Sequence, residues 1–452
     1  MQIADSMPAH TLALRERAVE VQGAVVRALH DLAGDHPDMA AERAAALNNL
    51  SVRLSNLSQR EDALAAAEEA VSLYRTLAAQ RPDAFRPNLS MSLNNVATML
   101  RDLGRREEAL AAADEAVSLY CTLAAQRPDA FRPDLAGSLN NVATMLSDLG
   151  RREEALAAAE KAVSLYRTLA TQRPDAFRPD LAMSLNNLAN RLSDLGRREE
   201  ALAAADEAVS LYGTLAAQRP DAFRPDLAGS LNNVAIMLRT LGRREDALAA
   251  AEEAVSLYHT LAAQRPDAFR PDLSMSLTNV AIMLGDLGRR EDALAAAAEA
   301  VALYRTLAAQ RPDAFRPDLA ASLNALARML SELGRREDAL AAAEEAVALY
   351  RTLAAQRPDA FRSDLAKSLM VLAQCLEAMD RRGEGLQANV EAIETLSDPF
   401  IRLPSAHTRL MRAIALDYLE RCKKLGRVPD MVLLGPIVAV FSQRQTEQEN
   451  PP

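Results

Sequence analysis

Pairs of asparagine are the side chains in this sequence best suited to doing chemistry. Asn94-Asn95, Asn140-Asn141, Asn186-Asn187 and Asn232-Asn233 follow one another at a constant step of 46 residues, and Asn48, Asn49, Asn279 and Asn324 extend the two columns. A carboxamide donates to a peptide carbonyl and accepts from a peptide N–H at the same time, so a ladder of them can grip an extended backbone with little regard to its side chains. One turn further on stand Thr98, Thr144, Asn190, Ile236, Ile282 and Arg328. The expected ligand contacts are therefore Asn48, Asn94, Asn140, Asn186, Asn232 and Asn324 in the first column, Asn95, Asn141, Asn187 and Asn233 in the second, and Thr98, Thr144 and Asn190. The alternative is structural, with an asparagine, more readily the second of each pair, bonding to an adjoining part of the fold.

Other reactive residue types form no constellation. The five histidines, His10, His30, His36, His259 and His407, are scattered, and His259 fills a slot held by Arg75 and Arg167 elsewhere in the pattern. Cys121, Cys375 and Cys422 lie far apart, with neither the paired spacing of a zinc site nor a disulfide framework, which points to a reducing cytoplasm. The adjacent acids Glu107-Glu108 and Glu153-Glu154 point to different sides of a helix, unlike a carboxylate pair sharing a substrate. No glycine-rich phosphate loop occurs. The expectation is a protein that is not an enzyme, with no catalytic residue, no metal and no cofactor.

The charge balance narrows the partners. The chain of 452 residues has a formal net charge of -10, with acids and bases interleaved in every repeat, so no broad cationic surface faces a phosphate backbone. Nucleic acid is disfavoured, and a protein or peptide partner is expected rather than a small-molecule substrate. Met1 to His10 lacks the basic-then-apolar order of a secretory signal. The most apolar stretch, Val432 to Phe441, is broken by Gly435 and Pro436 and is too short for ~30 Å of hydrocarbon, so no membrane is expected.

The elements that position the asparagines follow from the same step. Tyr74, Tyr120, Tyr166, Tyr212, Tyr258, Tyr304 and Tyr350 keep it, as do Leu47, Leu93, Leu139, Leu185, Leu231, Leu277, Leu323 and Leu369, giving eight repeats of 46 residues. In the unit at Leu93, the residues Leu93, Val96, Ala97, Leu100 and Leu103 share one face of a helix, here helix A, with the asparagines largely opposite. Gly104 stops it, where a left-handed cap is cheapest for glycine. Helix B runs from about Arg106 to Ala125, with Glu107 and Glu108 near its positive end. Its alanines at Ala109, Ala113 and Ala116 allow close antiparallel approach of helix A. Pro128 and Pro133 bracket a connection over Gln126 to Arg132, with Pro133 opening the next helix A and Asp134 in its first turn. Phe85, Phe131, Phe177, Phe223, Phe269, Phe315 and Phe361 read as bolts between successive hairpins.

The pattern Leu93-x2-Val96-Ala97-x2-Leu100, followed by Gly104, Ala109, Ala116 and a proline, resembles the tetratricopeptide repeat. Ser92 to Ala97, read as Ser-Leu-Asn-Asn-Val-Ala, with Arg105 to Ala109, read as Arg-Arg-Glu-Glu-Ala, is more narrowly similar to the long-repeat subclass typified by kinesin light chains. The resemblance covers about Leu47 to Leu396 and implies an all-α, right-handed superhelical solenoid of antiparallel helix hairpins. It also implies that the helix A asparagines hold a ligand peptide in a concave groove, as they do in the related kinesin-type and chaperone-binding arrays. Two departures stand out: a unit longer than the usual ~34 residues, and leucine or alanine at most aromatic consensus positions, as at Leu93 and Ala113.

The ends differ from the middle. Ser58 and Asp380 replace the turn glycine, and Met370-Val371 replaces the asparagine pair. The expected domains are 1–46 as a degenerate half-repeat or cap, 47–396 as the eight repeats, 397–441 as C-terminal capping helices and 442–452 as a disordered tail. Between Phe400 and Arg427 seven Lys and Arg face only Asp417 and Glu420, a solvated capping helix that could alternatively touch an acidic partner or nucleic acid. The function read from the sequence is a monomeric, cytoplasmic protein–protein interaction scaffold. Its rivals are a regulatory array of a larger signalling system and a self-associating structural array.

Overall fold

The computed structural model describes residues 9–33 and 37–449, which form nineteen helices and no strand. The first, α1 (Ala9–Ala33), stands alone, and nine consecutive pairs follow. They are α2 (Pro37–Asn56) with α3 (Arg60–Gln80), α4 (Pro82–Asp102) with α5 (Arg106–Gln126), and α6 (Pro128–Asp148) with α7 (Arg152–Gln172). Next come α8 (Pro174–Asp194) with α9 (Arg198–Gln218), α10 (Pro220–Thr240) with α11 (Arg244–Gln264), and α12 (Pro266–Asp286) with α13 (Arg290–Gln310). The last are α14 (Pro312–Glu332) with α15 (Arg336–Gln356), α16 (Pro358–Ala378) with α17 (Arg382–Arg402), and α18 (Pro404–Lys424) with α19 (Met431–Glu449). The even-numbered helices are helix A of each hairpin, and the odd-numbered ones from α3 to α17 are helix B.

Two compact units divide the chain, one ending at Ala268 and the other beginning at Phe269, within the first turn of α12. In the first unit each helix packs on its sequence neighbours, and the A helices α2, α4, α6, α8 and α10 also touch one another in succession. The same holds in the second for α14, α16 and α18. Contact of A with A is what gathers the helix A side chains of successive repeats onto one face.

The close packing has the source the composition suggests. Ala109, Ala113 and Ala116 of α5 are all 0% exposed, so α4 approaches the backbone of α5 with nothing larger than a methyl group on the α5 side at these positions. Leu93, Ala97 and Leu100 of α4 lie buried against them, and each leucine so covered contributes about 2 kcal/mol. Tyr120 is buried near the C-terminal end of α5, and the equivalent tyrosines in the other repeats are buried too. In the second unit Leu323, Leu369, Ile393, Leu396, Phe400, Met411 and Ile414 form a continuous core.

Helix A ends as expected: Gly104, Gly150, Gly196, Gly242, Gly288 and Gly334 hold positive φ, and Ser58 and Asp380 adopt the same left-handed turn at φ 60 without glycine's freedom. Helix B ends differently. The connection expected over Gln126 to Arg132 is one residue, Arg127, because Pro128 rather than Pro133 opens α6. Pro128 at the first position forfeits no bond, since that N–H has no partner in a helix anyway. Pro133 then lies inside α6, giving up a single bond near the helix start. Asp129, not Asp134, is therefore the first-turn acid favoured by the helix dipole. Arg127 also stacks on Phe131 at 4.7 Å from the ring centroid, and Arg81, Arg173, Arg219, Arg311 and Arg357 do the same to their own phenylalanines.

Helix α18 keeps the repeat's register, whereas α19 follows a longer link, residues 425–430, and packs on α17. Helix α18 has 21 residues, as every helix from α3 to α17 does, and Gly426 repeats the positive-φ turn. Arg421, 4% exposed, is held by Glu377 at 2.6 Å and Asp417 at 3.1 Å, and Lys424 adds bonds to Glu377 and Glu420. Those cations of α18 are used inside the fold. Helix α19 runs to Glu449, through most of the stretch read as a disordered tail; its Gln, Glu and Arg residues are all good helix formers. His36, residues 1–8 and 450–452 lie outside the described residues.

Candidate ligand-binding face

The face where A helices meet carries both asparagine columns, and it is the first column, not the second as the structural alternative had it, that bonds between repeats. Asn94 Nδ2 donates to Ser138 Oγ on the next helix A at 2.6 Å. The same bond joins Asn48 to Ser92, Asn140 to Ser184 and Asn186 to Ser230 at 2.6 Å, and Asn324 to Ser368 at 2.5 Å. Asn48, Asn140 and Asn232 are buried outright. The serine hydroxyls pass their own protons down the helix: Ser92 to the Asn88 carbonyl, Ser138 to that of Asp134 and Ser230 to that of Asp226. The first column thus forms a seam between repeats, and its amide donors are already used. Their Oδ1 atoms at Asn48, Asn94, Asn140, Asn186 and Asn324 are buried with no partner.

The second column lies beside the seam. Asn95, Asn141, Asn187 and Asn233 are half-buried and make no hydrogen bond within the chain. Of the residues one turn on, Thr98 and Thr144 give their hydroxyl protons to the carbonyls of Asn94 and Asn140 at 3.0 Å, leaving only acceptor capacity. Asn190 is half-buried and unbonded. The signal that distinguishes the columns was present in the sequence as the recurring Ser-Leu-Asn: residues two apart on a helix sit on opposite flanks, so serine and asparagine of this tripeptide can meet only between repeats.

Three further columns complete the face, none of them singled out by sequence reasoning as ligand contacts. Four residues before Asn95 stands Met91, and the equivalents are Gly137, Met183, Gly229, Met275, Ala321 and Lys367. Met91, Met183 and Met275 are 46%, 43% and 45% exposed, among the most exposed large apolar side chains of the helix A row. Three residues earlier lies an acidic column, Asp134, Asp180, Asp226, Asp272, Asp318 and Asp364, begun by Asn88, whose amide donates to Tyr74 Oη at 3.3 Å. Burial pushes the carboxyls of Asp134, Asp180, Asp226 and Asp318 above the usual range, and that of Asp272 up to about 6. The third column is tyrosine from helix B. Tyr166, Tyr258 and Tyr350 donate to the carbonyls of Pro133, Pro225 and Pro317 at 3.3, 3.5 and 3.2 Å.

In the second unit this face holds an open depression of ≈ 460 Å³, lined by Thr278, Ile282, Asn324, Ala325, Arg328, Tyr350, Asp364, Lys367 and Val371. Apolar residues replace the second-column asparagines there, at Ala325 and Val371. On the helix B side of the first unit, a cleft of ≈ 600 Å³ between α3 and α5 is spanned by the Arg75–Glu115 ion pair at 2.5 Å. That ion pair and its equivalents at Arg167–Glu207, Arg305–Glu345 and Arg351–Glu391 are exposed and contribute little. No group of three His, Cys, Asp or Glu able to hold a metal occurs among the described residues. Cys121 is exposed, whereas Cys375 and Cys422 are buried, and burial raises the Cys375 thiol to about 11. No described helix is long and apolar enough to cross a membrane.

The chain matches solved structures at low identity. Aspartyl phosphate phosphatase F from Bacillus subtilis is 14% identical with a TM-score of 0.50, over 87% of this chain and 92% of that one. BtubC (BKLC) from P. vanneervenii is 20% identical with a TM-score of 0.45, over 55% of this chain and 92% of that one. No curated protein sequence matches. The tetratricopeptide repeat family model matches seven segments, residues 43–79, 89–124, 135–170, 181–216, 227–262, 273–309 and 319–355. Each begins within a helix A and ends within the following helix B, so hairpin and sequence profile coincide, and the chain belongs to the tetratricopeptide repeat family.

Proposed function

We propose that this chain is a protein-interaction scaffold, without catalysis of its own, whose helix A face grips an extended peptide through Asn95, Asn141, Asn187 and Asn233. The observation that carries the reading is the contrast between the columns. Five first-column asparagines are bonded to serines of the next repeat, whereas the second column offers one unengaged carboxamide per repeat of the first unit. Each has a donor and an acceptor for a peptide group. Asn190 and the threonine oxygens add acceptors alongside. The sequence assigned both columns to the ligand; on the present reading the first holds the stack and the second holds the guest.

The test is panning a random peptide library against the whole protein and measuring the enriched peptides on variants. Replacing Asn95, Asn141, Asn187 and Asn233 together by alanine should weaken binding by about 0.5 to 1.5 kcal/mol per lost bond while leaving the melting temperature nearly unchanged. If that variant binds undiminished, or no peptide is enriched at all, the reading fails.

A further inference from the structure

We infer that the first unit receives cationic side chains of its ligand in two recesses, one formed by Asp134 and Gly137 and the other by Asp226 and Gly229. The inference rests on the scaffold reading above and gives the ligand a chemistry: a basic peptide.

The argument starts from what covers the acidic column. Asp134 and Asp226 are exposed, and the residue one turn on is glycine in both cases. At Asp180, between them, that residue is Met183 and the carboxylate is half-buried. None of the three makes an ion pair within the chain. A β-carbon placed on Gly137 or Gly229 would sit 3.5 Å from the hydroxyl of Tyr166 or Tyr258, so above each tyrosine there is ordinary contact room for a side chain the repeat does not supply. Both hydroxyls donate to proline carbonyls, which leaves their oxygens able to accept from an incoming donor.

The second unit fills the same position from within. There Lys367 stands where Gly137 and Gly229 stand, and its Nζ lies 2.9 Å from Asp364 Oδ1, with Asp364 half-buried as a result. The chain thus shows the partner this carboxylate takes when one is available: an ammonium group arriving from the position of the missing side chain. A single carboxylate per recess is too few oxygens for a hard divalent cation.

The experiment uses the full chain and three labelled synthetic peptides read by fluorescence anisotropy: alternating Lys and Ala, alternating Gln and Ala, and alternating Glu and Ala. The Lys peptide should bind tightest and the Glu peptide weakest, with the preference shrinking as salt is added. Gly137→Lys with Gly229→Lys rebuilds the Lys367–Asp364 arrangement in both recesses and should weaken the Lys peptide about tenfold, at up to ~fivefold per exposed pair. Lysine is a better helix former than glycine, so this variant keeps its fold, checked by its melting curve. Asp134→Asn with Asp226→Asn should act alike, and Asp180→Asn, under Met183, should change binding less than twofold. Equal binding of the Lys and Gln peptides, with dependence on the Asn95 column retained, overturns the recesses and leaves the scaffold standing. Undiminished Lys-peptide binding by the double-lysine variant does the same. Binding of none of the three peptides overturns both.

Discussion

Truncating Asn94 and Ser138 to alanine, singly and together, isolates one link of the inter-repeat seam. The bond from Asn94 Nδ2 to Ser138 Oγ is 2.6 Å long, Ser138 is 1% exposed, and its hydroxyl also donates to the Asp134 carbonyl at 2.9 Å. A bond of this kind is worth about 0.5–1.5 kcal/mol net, and a buried donor left without an acceptor costs about 1–3 kcal/mol. The two single variants should therefore differ. Ser138→Ala strands the Asn94 amide and should cost about 2 kcal/mol. Asn94→Ala removes both the donor and the unpartnered Oδ1, so relief of a buried acceptor offsets the lost bond and the net cost should stay below about 1 kcal/mol. The coupling between the two substitutions should be about 1 kcal/mol. Repeat arrays open piecewise, so the fitting assay is native-state hydrogen exchange of amides in α4 to α7, read as local opening free energies. A coupling under ~0.3 kcal/mol, the error of additivity, would refute the seam. So would a larger loss from the asparagine than from the serine.

Two further outcomes are expected. Burial lifts Asp272 from the ordinary 3.8 to about 6, so its charge is a liability above that range; Asp272→Asn should stabilise the protein at pH 7 by on the order of 2 kcal/mol. The gain should shrink as pH falls from ~6 and vanish below ~4, and urea unfolding that shows the same gain at both extremes would contradict it. Ser58→Gly and Asp380→Gly relieve a left-handed backbone at φ 60; against the ~1–2 kcal/mol cost of that conformation stands the extra freedom of glycine when unfolded. A gain of up to ~1 kcal/mol is expected at Ser58, and less at Asp380, whose short polar side chain tolerates the turn. Equal or lower melting temperatures in both variants would show that the turn is unstrained.

Much of the fold was readable because each repeat states the same pattern again. The Leu93 stripe, Gly104 and the alanines of helix B gave the A and B helices and the turn between them, since apolar period and glycine act locally. The proline bracket misled for an equally local reason. Pro128 and Pro133 are both admissible helix openers, and only the packing of successive hairpins decides that Arg127 alone suffices as the turn. The asparagine columns were harder. Adjacent residues on a helix are separated by about 100°, and which of the two faces the next repeat depends on the angle between neighbouring A helices, for which the only cue within one repeat is the Ser-Leu-Asn spacing. Past Leu396, Leu416 and Ile414 stand where asparagine and serine stand at Asn324 and Ser322, so helix α18 lost the sequence signature while keeping the length of a helix A and its glycine turn.

Because every seam in the first unit uses the same asparagine and serine, the number of hairpins there is a freely adjustable quantity. Excising residues 127–172 joins Gln126 to Arg173 and restores the Gln-Arg-Pro junction found before the cut. Asn94 then meets Ser184 in place of Ser138, so the asparagine–serine pair of the seam is restored. The methionine and glycine column does not share this indifference. After that excision Met91 is followed by Met183, and a recess is gone. Excising residues 127–218 instead brings Asn94 to Ser230 and sets Met91 before Gly229, so alternation survives. The stack can therefore gain or shed hairpins singly as a material, but only in twos if the proposed recesses are to keep their spacing.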